Sequence, residues 1–161
     1  MILIALGANL ASHAGPPAQT LAAALACLED RNLKIYAVSS FYETAAWPDP
    51  SDPPFVNAVA VLDTGLQPDA LMGILHDVET AFGRKRSIPN APRTLDIDLI
   101  DYQGRVEQGP PQLPHPRAAQ RVFVLVPLRD VAPDWRHPAT GQSLDELLAA
   151  LPDASAIRRL P

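Results

Sequence analysis

The run Arg93-Thr94-Leu95-Asp96-Ile97-Asp98-Leu99-Ile100 sets two carboxylates two residues apart in an otherwise apolar stretch. Side chains alternate along a strand, so Asp96 and Asp98 share one face while Leu95, Ile97 and Leu99 share the other, core-facing one. The two Cα atoms then stand ~7 Å apart, close enough for their oxygens to converge. Paired hard oxygens suit Mg²⁺, which takes one or two carboxylates and completes its shell with substrate phosphates and water. An isolated Asp-x-Asp is more often a solvated strand face, but the context reverses that expectation. Arg84, Lys85, Arg86 and Arg93 lie just upstream in a proline-containing loop. Cations beside a metal-binding face are the electrostatic counterpart of a polyphosphate, and the planar arginine fork fits phosphate oxygens. The predicted chemistry is metal-assisted transfer of a phosphate-containing group. Neither a Gly-x-x-x-x-Gly-Lys-Ser/Thr loop nor a Gly-x-Gly-x-x-Gly turn occurs, which removes P-loop and dinucleotide-binding classes. Gly7-Ala8-Asn9-Leu10 holds one glycine and signals only a turn.

The elements that position these residues are readable from pattern. Ile2 to Leu6 is a short apolar run, read as a strand, followed by a polar turn and an Ala/Leu-rich helix over about 17–30. The β-branched and aromatic stretch 34–43 and the run 56–62 each suit a strand, with a Pro/Asp loop between them. Leu71, Leu75, Val78 and Phe82 recur at spacings of three and four, which predicts a helix over 68–82 closed by Gly83. Residues 95–102 form the next strand. The order β-α-β-β-α-β predicts an α+β, ferredoxin-like core: a four-stranded antiparallel sheet with both helices on one face and the other face open for a site. A C-terminal segment follows, with a proline-rich loop at 110–116, an apolar stretch 122–128 of undetermined type and a short helix over about 143–151.

Chain-wide properties bound the reading. The 161 residues are expected to form a single domain, 1–161, with one core. Hydrophobic residues make up 47% and charged residues 19%, a globular composition. No stretch is apolar enough for a transmembrane helix, and the N-terminus reads as a strand and not as a secretory signal, so a cytoplasmic protein with no membrane partner is expected. A net charge of −5 argues against general nucleic-acid binding. The single cysteine, Cys27, is expected to be a small helix side chain without metal or redox work. Eighteen prolines, clustered at 48–54, 89–92 and 110–116, mark irregular connections where function often resides.

Ala91-Pro92-Arg93-Thr94-Leu95-Asp96-Ile97-Asp98-Leu99-Ile100 closely resembles the signature of the 6-hydroxymethyl-7,8-dihydropterin pyrophosphokinase family of folate biosynthesis. Further matches follow in chain order: Leu6 to Leu10, Ser39 to Thr44, Phe55 to Val59, Glu79 to Arg84, Leu113 to Arg117 and Arg121 to Leu125. The resemblance spans nearly the whole chain. It implies transfer of the β,γ-diphosphate of ATP to the hydroxymethyl group of the reduced pterin, release of AMP, and two Mg²⁺ ions held by Asp96 and Asp98. It also implies that Arg84 and Arg93 meet the polyphosphate as catalytic residues, with Glu79, His115 and Arg121 also on the nucleotide side. Phe55 and Phe123 match the pair between which the pterin ring is sandwiched, Asn57 matches an amide that hydrogen-bonds its edge, and the resemblance implies that Thr44 and Trp47 line the same pocket through backbone contacts. Taken alone, His115 would be an ordinary loop residue, Glu79 a surface carboxylate, and the two phenylalanines core aromatics as readily as site residues. His13, His76 and His137 match nothing.

Two departures stand out. Pro89-Asn90-Ala91 replaces an Arg-Trp-Gly lead found in many relatives, in a loop one residue shorter, and Ala45 replaces the usual proline. A monomer is expected. The residues themselves also allow a non-catalytic ferredoxin-like binding module, or a Mg²⁺-dependent transferase with another acceptor. Only Phe55, Asn57 and Phe123 argue against the latter.

Overall fold

The structure, a computed structural model, describes residues 1–85, 91–153 and 156–161. Arg86 and the Pro89-Asn90 departure therefore lie outside the described residues. Strands β1 (Ile2–Ala8), β2 (Lys34–Val38), β3 (Tyr42–Thr44), β4 (Phe55–Asp63), β5 (Asp96–Tyr102) and β6 (Ile157–Arg159) form one sheet; the helices are α1 (Pro17–Glu29), α2 (Pro68–Ala81), α3 (Val122–Val131) and α4 (Leu144–Ala149). The strand order is β5-β1-β4-β3-β6, with β2 also paired to β4, and every pairing is antiparallel. The α+β class and the antiparallel sheet stand, but the four-stranded count is corrected to six strands.

The extra strands have a local cause. The stretch 34–43, expected as one strand, breaks at Ser39 and Ser40. The Ser39 hydroxyl accepts the Val59 N–H at 3.0 Å, while the Ser40 N–H leaves the ladder for the Asp130 carboxylate, also at 3.0 Å. The two halves, β2 and β3, then pair with opposite ends of β4. β6, too short to be read from sequence, adds to the free edge of β3.

Both α1 and α2 start with proline at their first positions, where its fixed φ suits the helix and its missing N–H costs nothing. They pack Leu21, Leu28, Leu71, Leu75 and Val78 against Ile2, Ile4, Leu6, Ile97 and Leu99. The opposite face, expected to be open, is partly covered. There α3 and α4 place Val124, Leu125, Leu128, Leu144 and Leu147 on Leu3, Ala5, Val59 and Ile100. The 122–128 stretch is thus helical despite its β-branched residues and Pro127, because a helix buries Val124, Leu125 and Leu128 together. A capping box between Ser143 and Glu146 starts α4. No helix among the described residues is long and apolar enough to cross a membrane.

Candidate active site

On β5 the alternation runs as expected: Ile97 and Leu99 enter the first core, leaving Asp96 and Asp98 on the second face. Asp96 lies opposite Gly7, and Gly7 opposite Asn57, so the three form a row across β5, β1 and β4. Gly7 is needed for its lack of bulk. A Cβ there would stand 3.2 Å from Asn57 Oδ1 and 3.9 Å from Phe55 Cδ1.

Cations pair with each aspartate. Arg93 donates to Asp96 Oδ2 at 2.8 Å, and Arg84 donates to Asp96 Oδ1. Arg121 donates to Asp98 Oδ2 at 3.1 Å. Two of these guanidinium groups also cover aromatic rings: Arg93 Cζ lies 5.8 Å from the Phe55 centroid and Arg121 Cζ 5.4 Å from that of Phe123. Each aspartate is therefore joined to one aromatic through one arginine.

Local folding explains where Arg84 sits. Gly83 ends α2 with φ +82°, a left-handed conformation open to glycine, and the chain turns so that the Arg84 N–H bonds Glu79 O at 3.1 Å. The Arg84 side chain then meets both Asp96 and the Glu79 carboxylate. Glu79 is not the surface carboxylate its helix position alone suggests: it is 2% exposed and accepts the Ile97 N–H on the outer edge of β5 at 2.7 Å. A charged acceptor there satisfies an edge N–H and presents a negative wall behind Arg84.

His115 Nε2 lies 3.7 Å from Asp98, too far for a hydrogen bond, and its Nδ1 accepts the Arg117 N–H at 3.2 Å. Burial pushes the imidazole below its usual range; Asp98 and Asp96 oppose that push, while Arg121 and Arg117 add to it. A neutral ring is the result, so His115 is no ion-pair partner of Asp98.

Asn57 and Thr44 are both buried, and Asn57 Nδ2 donates to Thr44 Oγ1 at 2.9 Å. That bond fixes the amide with its oxygen on the Gly7 side. Trp47 is 73% exposed. Sequence reasoning also passed over Asn9, dismissed as part of a turn. It is 4% exposed and bonds two distant loops. Only a buried polar side chain after a strand could have pointed to it, and burial is not written in one sequence.

Among the described residues no group of three or more His, Cys, Asp or Glu side chains is placed to hold a metal. A fully protein-built cage of the zinc type is thus missing there, whereas two neighbouring carboxylates suit an ion that takes its other ligands from phosphates.

Paired carboxylates bound by arginines that also cover aromatic rings, on an antiparallel α+β sheet, are the arrangement of an enzyme class that handles phosphate groups. Comparison narrows the class: residues 3–133 match the model for 7,8-dihydro-6-hydroxymethylpterin-pyrophosphokinase, and the chain belongs to that family. It is 40% identical over 162 residues to the 2-amino-4-hydroxy-6-hydroxymethyldihydropteridine pyrophosphokinase of Pseudomonas aeruginosa, covering 99% of this chain and 96% of the relative. The enzyme of the same name from Synechocystis is 36% identical over 157 residues, covering 96% and 77%. A crystal structure of Plasmodium falciparum HPPK-DHPS with pteroate superimposes with a TM-score of 0.69 at 13% identity, a likeness of fold. It covers 92% of this chain, which spans 41% of that longer one.

Proposed function

We propose that the chain transfers the β,γ-diphosphate of ATP to the hydroxymethyl oxygen of 6-hydroxymethyl-7,8-dihydropterin and releases AMP. The observation that carries this reading is the double link Asp96–Arg93–Phe55 and Asp98–Arg121–Phe123. Each link joins a carboxylate suited to a metal–phosphate group, through an arginine, to an aromatic ring suited to a flat acceptor.

In this reading the pterin hydroxyl oxygen bonds to the β-phosphorus, the bond from that phosphorus to the bridging α,β-oxygen breaks, and AMP leaves with the bridging oxygen. The hydroxyl proton passes to solvent. Phosphoryl chemistry of this kind needs positioning and charge stabilisation more than covalent work by the protein. Asp96 and Asp98 would hold two Mg²⁺ ions, which when bound neutralise phosphate charge and polarise the phosphoryl oxygens. Arg84 and Arg93 exchange Asp96 for polyphosphate oxygens, while Glu79 keeps its bond to Arg84. Arg121 and neutral His115 serve the nucleotide side.

Phe55 and Phe123 stack on the pterin. Asn57, oriented by Thr44, offers its amide oxygen to the N–H edge of the ring, and Trp47 belongs to the loop that borders the pocket. The strands β5-β1-β4-β2 correspond to a ferredoxin-like core, to which β3 and β6 are additions.

The test is AMP formation from ATP, Mg²⁺ and the pterin by wild type, Asp96→Ala and Asp98→Ala. Pterin-dependent AMP in the wild type, lowered at least about a hundredfold by either substitution, is the expected outcome; losses of this size follow when charge stabilisation in the transition state is removed. Folded wild type that releases no AMP contradicts the proposal.

A further inference from the structure

Asn9 follows β1 and uses both ends of its amide on backbone groups far away in the chain. Its Oδ1 accepts the Arg93 N–H at 2.8 Å, and its Nδ2 donates to Pro53 O at 3.0 Å. The Arg93 carbonyl in turn accepts the N–H groups of Asn9 at 3.1 Å and Leu10 at 3.2 Å. Three segments meet at one buried side chain: the turn after β1, the proline-rich loop before β4, and the lead into β5.

The two remote ends belong to different halves of the site. Pro53 lies two residues before Phe55, on the pterin side. Arg93 carries the guanidinium that bonds Asp96 and covers Phe55, on the nucleotide side. A shift of either segment stretches or breaks its hydrogen bond to the Asn9 side-chain amide, and a buried amide left half-bonded costs about 1–3 kcal/mol.

Resting on the pyrophosphokinase reading, we infer that Asn9 is a positioning residue that couples the nucleotide side to the pterin side, so that order imposed at Arg93 by the nucleotide is passed to the Pro53–Phe55 segment. Asn9 touches neither substrate. Coupling of this kind is a ratio of affinities, reciprocal between the two ligands, and separates from a loss of stability or of affinity alone.

The experiment measures the affinity of 6-hydroxymethylpterin with and without Mg²⁺ and α,β-methylene-ATP, for wild type, Asn9→Ala and Asn9→Asp. Aspartate is nearly the same shape, keeps the acceptor for the Arg93 N–H and loses the donor to Pro53, so it answers the question even where the alanine variant fails to fold. Wild type is expected to bind the pterin at least tenfold more tightly when the nucleotide analogue is present. In Asn9→Asp that ratio falls below twofold, while the affinity for the nucleotide analogue alone changes less than threefold. A variant that keeps the wild-type ratio, or a wild type with no such ratio, overturns the inference and leaves the pyrophosphokinase reading intact. Folded wild type that binds neither probe overturns that reading, and the inference with it.

Discussion

At the scale of single residues, the site joins strong charges to flat apolar surfaces through arginine. Phe55 and Phe123 are partly buried and each lies under a guanidinium, so neither is a simple core aromatic. Stacking on an aromatic is worth roughly 1–3 kcal/mol per base in nucleic-acid systems, and a pterin ring is comparable. Phe55→Ala and Phe123→Ala are therefore each expected to weaken pterin binding roughly 5- to 150-fold. Equilibrium titration with pterin checks this, and affinity for the nucleotide analogue should stay near wild type. Equal losses for both ligands would place the rings in the core and not in the pocket. Asp96 and Asp98 were legible because strand alternation is strict. Glu79 was legible only in part: helical period placed it beside the apolar stripe, but its burial depends on the Ile97 N–H and the Arg84 turn, both long-range features. Gly7 and Asn9 were illegible because their work lies in what stands across the sheet or on other loops.

At the scale of elements, α3 carries Arg121 at its N-cap and Phe123 in its first turn, so its seating on the sheet sets part of the site. Leu125 and Leu128 hold its middle. Its far end is fixed by Asp130, which accepts from the Tyr42 hydroxyl at 3.0 Å and from the Ser40 N–H at 3.0 Å. Burial, together with the hydrogen bond to Asp130 and its negative charge, raises the Tyr42 phenol above its ordinary range, against a weaker pull from Arg159 and Arg129. The folded state thus keeps its phenolic proton at a pH where the unfolded chain has lost it. The resulting stabilisation is complete below pH ~10 and is lost as the pH rises through the folded value. Urea unfolding from pH 8 to 11 should show wild type losing stability more steeply than Tyr42→Phe; parallel profiles would show that this phenol carries no such linkage. The type of α3 could not be read locally, because its β-branched residues and Pro127 argue against the helix that packing imposes. The split of β2 from β3 escaped for a similar reason, since Asp130, 90 residues from Ser40, completes the break.

At the scale of the whole molecule, the sheet carries apolar layers on both faces, with Asp96 and Asp98 of the candidate site on the side of β5 opposite Ile97 and Leu99. The match to the family ends at residue 133, yet Trp135, Leu144 and Leu147 complete the second core. Trp135 also donates its indole N–H at 2.7 Å to Asp101, which is 4% exposed and also accepts the Gly104 N–H at 2.8 Å. Trp135→Phe removes one donor from a buried carboxylate and should cost about 1–3 kcal/mol in urea unfolding. The KM values for both substrates should be unchanged, because the indole bonds Asp101 and not Asp96 or Asp98. The overall α+β architecture was legible because the first two thirds of the chain keep regular strand and helix periods. The covering of the second face was not, since it is built by the irregular last third. The net charge of the molecule is −5, and the three arginines at this end of the sheet are each matched by a carboxylate, Arg84 and Arg93 on Asp96 and Arg121 on Asp98, with Glu79 behind Arg84. The most direct measurement of the central claim is ³¹P NMR of the products formed from ATP, Mg²⁺ and 6-hydroxymethyl-7,8-dihydropterin. The account predicts AMP together with a pterin diphosphate ester, in equal amounts and with no ADP; ADP with a pterin monophosphate, or ATP left unchanged by the folded protein, would contradict it.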